Sequence, residues 1–421
     1  MKWSREQDNA LVAVRRWFNE GGPQVYRLFG YAGTGKTTLA RHFGEGIEGL
    51  VLYMAFTGKA AHVMRQSGCP GASTIHSAIY HTKEKGRARL KELEASLAET
   101  LYELGLPERR QEVIDRNKVV VKLRKEIAEE RQRLAQPAFS LNQNSLVCDA
   151  ALVVIDECSM VDDRLGSDLL SFGTRVLVLG DPAQLAPVAG AGFFTTGVEP
   201  DTVLTEIHRQ AAENPILAMA TEVRQGRHLK LGTYGESRVV DASEINSRDA
   251  LDADQILVGR NATRRSSNRR MRHLLNRGAG LPVVDDRLVC LRNNHDLGLL
   301  NGALWHVSEV GDHDEERVHL TVRPDDEGDP LLVEAHTHHF LQREGRLNWW
   351  ERRGAEEFDY GYALTVHKAQ GSQWRDVLLF DESHCFRGDR WRWLYTALTR
   401  AMERVTVVEA RPLISAGEGE G

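Results

Sequence analysis

The chain has 421 residues, with 54 Lys and Arg against 60 Asp and Glu and a formal net charge of −6. That length makes a single hydrophobic core a poor default, the 41% hydrophobic and 27% charged composition excludes wholesale disorder, and the acidic balance excludes a positive coat for bulk nucleic-acid adhesion while leaving room for a local basic channel. No run of 18 apolar residues occurs and residues 1–8 are polar, so a soluble, unsecreted, cytoplasmic chain is expected; Cys69, Cys148, Cys158, Cys290 and Cys385 form no CxxC pair and support neither a disulfide framework nor a zinc ribbon.

The first short β-prone run, 24–29, leads into Gly30-Tyr31-Ala32-Gly33-Thr34-Gly35-Lys36-Thr37-Thr38, the pattern strand, Gly-rich turn, helix. Apolar runs at 50–55, 151–155 and 176–179, each followed by polar or Gly-containing residues, read as buried parallel strands. Between them lies 83–136, dense in Glu, Lys and Arg. Leu90, Leu93, Leu97, Leu101 and Leu104 recur there at three- and four-residue spacing, then Val113, Val120, Ile127 and Leu134 every seven with Leu123 between. That periodicity predicts an antiparallel helical hairpin. A second βα series follows residue 200, with strands expected at 255–258, 377–380 and 405–408, interrupted over 285–353 by alternating segments such as 303–307 and 318–322 that suggest a small β-barrel insert. The Gly/Glu-rich tail, 415–421, is expected to be disordered.

The Gly30-x4-Gly35-Lys36-Thr37 spacing is that of a P-loop. Its glycines let backbone N–H groups wrap phosphates, Lys36 reaches the outer phosphates and the Thr37 hydroxyl ligates magnesium. The apolar strand ending in Asp156-Glu157 places one carboxylate to hold magnesium and the next to orient or deprotonate water. Acidic strand ends are common, so that pair acquires weight only with the P-loop upstream. Gln184, just past the strand at 176–179, stands where an amide could sense a γ-phosphate or its attacking water.

With these motifs, others appear in order: residues 55–61 (Ala-Phe-Thr-Gly-Lys-Ala-Ala), 74–77 (Thr-Ile-His-Ser), 180–185 (Gly-Asp-Pro-Ala-Gln-Leu), 204–210 (Leu-Thr-Glu-Ile-His-Arg-Gln), 363–372 (Ala-Leu-Thr-Val-His-Lys-Ala-Gln-Gly-Ser) and 395–401 (Tyr-Thr-Ala-Leu-Thr-Arg-Ala). On these residues the chain resembles a superfamily 1 DNA helicase of the 5′-to-3′ subgroup, the RecD/Dda type, over nearly its whole length. The resemblance implies an α/β fold of two RecA-like P-loop NTPase lobes, 1–82 with 137–200 and 201–284 with 354–414. A helical-hairpin insert at 83–136 would decorate the first, and a small SH3-like β-barrel insert at 285–353 the second. It implies ATP and Mg2+ as cofactors, held by Gly33, Thr34, Gly35, Lys36, Thr37, Thr38 and Gly371, with Thr37 and Asp156 on the metal and Gln7 on the adenine edge. The implied catalytic set is Lys36, Asp156, Glu157, Gln184, Arg209 and Arg400, the two arginines reaching from the second lobe toward the γ-phosphate.

For nucleic acid, the resemblance implies Phe56, Thr57, Lys59, Thr74 and His76 on the first lobe and Thr365 and His367 on the second, residue types suited to tracking a backbone. Phe56 departs from the family's usual proline, and its ring either stacks a base or fills the core. Arg264, Arg265, Arg269, Arg270 and Arg272 form either a solvated helix face or a nucleic-acid contact, and Trp349-Trp350, flanked by Arg346, Arg352 and Arg353, either a stacking platform or the core of a junction. His336, His338 and His339 are close in sequence, but strand alternation would turn His338 away and no Cys or carboxylate set completes a metal site. The expected partners are single-stranded DNA and its junctions with duplex, with the 83–136 hairpin a wedge, a docking arm for a protein partner, or a spacer. No membrane and a monomer are expected, in a bacterial cell or phage-infected host. A strand translocase or motor subunit without autonomous unwinding, a non-hydrolysing nucleotide-gated scaffold, and an RNA substrate stand as alternatives.

Overall fold

The computed structural model describes residues 3–82, 88–103, 117–135, 139–185, 192–206, 214–292, 294, 297, 299, 301–325, 329–343, 345, 347, 352 and 354–409. The chain forms two compact units, Met1–Ala78 with Leu146–Gly421, and Ile79–Ser145.

In the larger unit, β1 (Val25–Gly30), β2 (Leu50–Ala55) and β3 (Ser73–Thr74) precede the smaller unit, which holds β4 (Tyr80–Thr82) and β5 (Phe139–Leu141); β6 (Ala150–Asp156), β7 (Val176–Gly180) and β8 (Thr202–Leu204) follow it. The first sheet runs β3-β2-β6-β7-β1-β8 with every pair parallel. Parallel strands covered on both faces need no polar alternation, and all five residues of β7, Val-Leu-Val-Leu-Gly, are buried. The helix Arg5–Glu20 packs Ala10, Leu11, Val14 and Trp17 on this sheet's core with Leu28, Leu39, Leu152 and Val154. Full burial of such a side chain stabilises by about 1.5–3 kcal/mol. Since the strands share one direction, the C-terminal ends of β1, β6 and β7 lie on one edge of the sheet, and that edge carries Gly30, Asp156 and Gly180.

The remaining strands are β9 (Gly232–Tyr234), β10 (Ser237–Asp241), β11 (Gln255–Val258), β12 (Arg287–Cys290), β13 (Leu304–His313), β14 (Arg317–Pro324), β15 (Leu331–His336), β16 (Phe358–Tyr360), β17 (Ala363–Thr365), β18 (Trp374–Asp381) and β19 (Ala401–Glu409). The second sheet, β17-β11-β18-β19-β10-β9, is parallel except for the β9–β10 pair. A third, antiparallel sheet runs β15-β14-β13-β12-β16, and a bridge between Ala335 and Glu356 links β15 to the segment entering β16.

Three expected boundaries shift. The second lobe was placed from 201, yet β8 pairs with β1 through Leu28–Thr202 to Gly30–Leu204 and completes the first sheet, because a short apolar strand does not announce which edge it joins. The β insert was ended at 353, yet β16 pairs with β12 and extends that sheet to Tyr360. The hairpin was confined to 83–136, yet its unit includes the β4–β5 ladder, Tyr80–Leu141 to Thr82–Phe139. His338 and His339 also lie beyond the end of β15, so strand alternation does not govern them, and their rings sit edge to face at 5.1 Å.

In the smaller unit the helices Ala88–Glu103 and Lys118–Ala135 pack on each other, with Val120 and Ile127 of the heptad buried and Leu93, Leu97, Leu101 and Leu123 half-buried. Leu104 and Val113 lie outside the described residues, as does the tail at 415–421.

Glu382, following β18, shows how the second lobe is tied together. Its buried carboxylate accepts the N–H groups of Gly259 (2.7 Å) and Arg260 (2.9 Å), Arg260 Nε (2.8 Å) and the Thr263 hydroxyl (2.6 Å), which seats the start of the helix Asn261–Leu274 on β11 and β18. Burial alone would push this carboxyl up, but the four donors hold it below its ordinary value of 4.5. A depressed carboxylate contributes stability that is present at neutral pH and lost as pH falls through its folded value. Glu382→Ala is therefore expected to lower the unfolding free energy by about 2–3 kcal/mol at neutral pH. In urea titrations the gap from the parent chain should narrow in acid.

Candidate functional site

A cleft of about 360 Å³ opens at the C-terminal edge of the first sheet. The residues that face it from the second lobe, Gly371, Gln373, Thr399 and Arg400, lie just before β18 and β19 begin, so the C-terminal edge of one sheet meets the N-terminal edge of the other. Ala60, Val63 and Met64, from the helix Gly58–Gln66, form its apolar wall.

The P-loop is shaped by its glycines. Gly33 and Gly35 both have φ of +79°, a left-handed conformation that side chains disfavour, and Gly35 opens the helix Lys36–Glu45. A Cβ at Gly30 would stand 2.7 Å from the Thr34 hydroxyl and 2.9 Å from Leu204, so the turn closes only with glycine there. Thr34 is fully buried, its hydroxyl donating to the Tyr31 carbonyl at 2.8 Å. Lys36 Nζ donates to the Gly30 and Tyr31 carbonyls at 2.6 and 3.0 Å. The Thr37 hydroxyl donates to Asp156 Oδ2 at 2.7 Å, and Asp156 Oδ1 accepts the Glu157 N–H at 2.8 Å.

Glu157 sits at φ +54°, uncommon for a residue with a side chain, and this turn directs it to the cleft. Burial pushes its carboxyl above the ordinary range, with Asp156 and Asp181 adding to the rise and Arg400 and Lys36 opposing it. Arg400 is 1% exposed, its guanidinium donating to the Thr396 and Ser372 carbonyls at 3.1 and 3.2 Å and to the Thr399 hydroxyl at 3.2 Å. Its Nη2 lies 4.0 Å from Glu157 Oε1. Gln184 lines the same cleft, and its Oε1 is buried without a hydrogen-bond partner.

Of the expected nucleotide residues, Gly33, Gly35, Lys36, Thr37, Thr38, Asp156, Glu157, Gln184, Gly371 and Arg400 line this one cleft. Thr34 and Gln7 do not. Gln7 is buried against the P-loop, its Nε2 donating to the Thr34 carbonyl at 3.0 Å, while its Oε1 caps Ser4 N–H at 3.0 Å. One donor and one acceptor of the amide are thus used inside the protein. Arg209 lies outside the described residues; Thr205 and Glu206, which lead toward it, are held by the Glu6 carboxylate.

The residues expected at nucleic acid fall into separate groups. Thr57 caps its helix by accepting the Ala60 N–H at 3.1 Å, and a Cβ at Gly371 would stand 3.0 Å from its hydroxyl, so here the lobes nearly touch. Lys59 lies over the Trp374 ring at 4.8 Å. Phe56, half-buried, meets His76 edge to face at 6.4 Å, and the Thr74 hydroxyl bonds Ser77 at 2.9 Å. On the second lobe Thr365 is buried at the end of β17, and His367 packs 5.4 Å from Phe386, burial holding its imidazole below the ordinary value. Trp349, Trp350, Arg346 and Arg353 lie outside the described residues. Of the arginine helix, Arg264 pairs with Asp359 at 2.8 Å and Arg272 with Asp286 at 3.1 Å, so these two are structural, while Arg265, Arg269 and Arg270 are exposed.

Sequence reasoning missed three residues. Asp181 and Tyr395 stand within motifs that imply no role for them, and Arg224, whose guanidinium lies 3.6 Å over the Tyr31 ring, stands in no motif. Only the fold brings them to the P-loop. Among the described residues no helix is long and apolar enough to cross a membrane, and no group of three or more His, Cys, Asp or Glu is arranged to hold a metal ion.

Compared with known proteins, residues 4–244 match the AAA domain family and residues 360–408 the UvrD-like helicase C-terminal domain. The chain is 31% identical over 284 residues to the ATP-dependent RecD2 DNA helicase of Deinococcus radiodurans, a match covering 60% of this chain and 35% of that protein. It is 25% identical over 266 residues to the conjugal transfer protein TraA of Rhizobium radiobacter, covering 54% and 22%. The matches therefore span about a third or less of these relatives' length. Among solved structures, the Pif1 helicase of Candida albicans aligns over 97% of this chain and 94% of its own at 17% identity, with a TM-score of 0.47.

Proposed function

The chain belongs to the AAA domain family, in the superfamily 1 form of the RecD type, and from that premise we propose that it is an ATP-dependent DNA helicase moving 5′-to-3′ on single-stranded DNA. The observation that carries this reading is the convergence of Lys36, Thr37, Asp156 and Glu157 of the first lobe with Arg400 of the second on one cleft, Arg400 4.0 Å from Glu157. A protein that only bound nucleotide would have no need of a carboxylate and a guanidinium facing each other across its phosphate site.

The donor set fits ATP with magnesium. The Thr37 hydroxyl and Asp156 carboxylate, 2.7 Å apart, are the hard oxygen ligands that magnesium takes, and Gln184 Oε1 is a buried acceptor awaiting a donor. Bound magnesium would supply neutralisation of phosphate charge. Lys36 leaves the Gly30 and Tyr31 carbonyls for the outer phosphates, and the N–H groups of 33–38 wrap them. Glu157 takes up or orients the proton of the attacking water, Gln184 orients that water, and Arg400, with Arg209, offsets the charge that develops as the phosphoryl group transfers. Each turnover closes and opens the lobes, and because Thr57 and Gly371 nearly touch across the same gap, closure changes the spacing between strand-gripping residues on the two lobes. The antiparallel sheet of β12 to β16 serves as the SH3-like insert, and the helical unit as a wedge or docking arm.

On forked duplexes, strand displacement is expected from a 5′ tail and not from a 3′ tail. Displacement from the 3′ tail alone would overturn the polarity, and turnover stimulated by DNA without displacement would favour a translocase or motor subunit.

A further inference from the structure

We infer that Tyr395 is a positioning residue for hydrolysis: through its hydroxyl the second lobe sets the shape of the P-loop and the place of Asp181. This rests on the reading of the cleft as an ATPase site. Tyr395 belongs to the helix Arg390–Leu398, five residues before Arg400, and is 2% exposed. Its hydroxyl nevertheless finds both partners in the first lobe. It donates to Asp181 Oδ2 at 2.7 Å and accepts the N–H of Ala32, in the P-loop, at 2.8 Å. Ala32 and Asp181 both line the cleft.

The same helix holds the adjoining segment. The Thr396 hydroxyl accepts the Leu185 N–H at 2.9 Å, and from the neighbouring loop Gln370 Nε2 donates to the Leu185 carbonyl at 2.8 Å. Residues 181–185, which carry Gln184, are therefore gripped at both ends by the second lobe. Arg224 adds a contact on the other side, lying over the Tyr31 ring with its Nε buried and without a partner. One helix thus places Arg400 in the cleft, fixes the Tyr31–Ala32 turn and anchors the loop that aims Gln184. A displacement of that helix is felt by all three together, since a buried hydrogen-bonded contact is kept or broken as a unit. Burial and the adjacent Asp181 keep the phenol protonated, so it can donate to the carboxylate and accept from the amide at once.

A residue of this kind controls turnover and leaves nucleotide affinity nearly unchanged, because it touches no phosphate itself. The test compares the parent chain with Tyr395→Phe, Asp181→Asn and the double variant, measuring ATP turnover at saturation with and without an oligodeoxynucleotide, the affinity for a fluorescent ATP analogue, and the melting temperature. Tyr395→Phe is expected to lower kcat about tenfold, which is about 1.4 kcal/mol, with affinity within about twofold. The double variant should be little slower than the worse single one, as expected of groups acting as a unit. Unchanged kcat, a loss confined to affinity or melting temperature, or effects that multiply would each overturn the inference. Should Tyr395→Phe fail to fold, Asp181→Asn reads the same kcat-against-affinity split. A parent chain without turnover would sink the ATPase reading itself, whereas an active parent with an indifferent Tyr395→Phe would sink only this proposal.

Discussion

Glu157→Gln is expected to slow ATP turnover by about 10²- to 10⁴-fold, the range for losing a positioned general base, while retaining nucleotide binding. The substitution keeps the size of the side chain and its reach into the cleft, and removes only the ability to take a proton. The left-handed turn at Glu157, φ +54°, is backbone strain at the one position where the strand must aim a carboxylate outward, and neighbouring Asp156 fixes it through the 2.8 Å bond to the Glu157 N–H. Burial raises the Glu157 carboxyl, so its basic form is lost at a higher pH than for an ordinary carboxylate. Turnover of the parent chain should therefore fall as pH is lowered through that raised value, and the residual activity of Glu157→Gln should lack this acid limb. A pH profile of kcat checks both. A Gln variant as fast as the parent would remove Glu157 from the chemistry.

Arg400→Ala is expected to cost about 10³-fold or more in turnover, the scale of a charge-stabilising arginine in phosphoryl transfer. At 1% exposure its guanidinium is held by two carbonyls and one hydroxyl, none of them anionic, with Glu157 Oε1 4.0 Å away. Paired with Glu157 only at the outer limit of an ion pair, such a buried cation is costly unless a ligand supplies further negative charge. That argues for a phosphate in the cleft. Lysine should not restore activity, because a point charge cannot keep the Ser372 and Thr396 contacts and reach the cleft together. Bound nucleotide should raise the melting temperature of the parent more than that of Arg400→Ala, which separates this role from simple packing.

Much of this site was legible because its residues are close in sequence and each position admits few types. Gly30, Gly35, Lys36 and Thr37 specify a turn, a cation and a hydroxyl within eight residues, and with that P-loop upstream an apolar run ending in Asp156-Glu157 reads as a strand delivering carboxylates to the same edge. Strands such as β13 and β14 and the helices of the smaller unit were legible as elements from period alone, two against three and a half. What escaped was tertiary. The strand β8 joins the first sheet through pairing that no local pattern encodes, and β16 returns to β12 after a long excursion. Gln7 illustrates the limit best: the resemblance puts it on the adenine edge, and nothing in the sequence tells that its amide also caps Ser4 and tethers Thr34. Tyr395 and Arg224 are remote in sequence from the P-loop they touch, and only the packing of the lobes reveals them.

The most direct measurement is steady-state ATP turnover by the parent chain with magnesium, with and without single-stranded DNA. Turnover that single-stranded DNA stimulates at least about tenfold is expected, since the residues proposed to grip the strand stand on the same two lobes that form the cleft. Turnover indifferent to DNA would separate the cleft from any motor, and no turnover in either condition would contradict the central claim and leave a nucleotide-gated scaffold in its place.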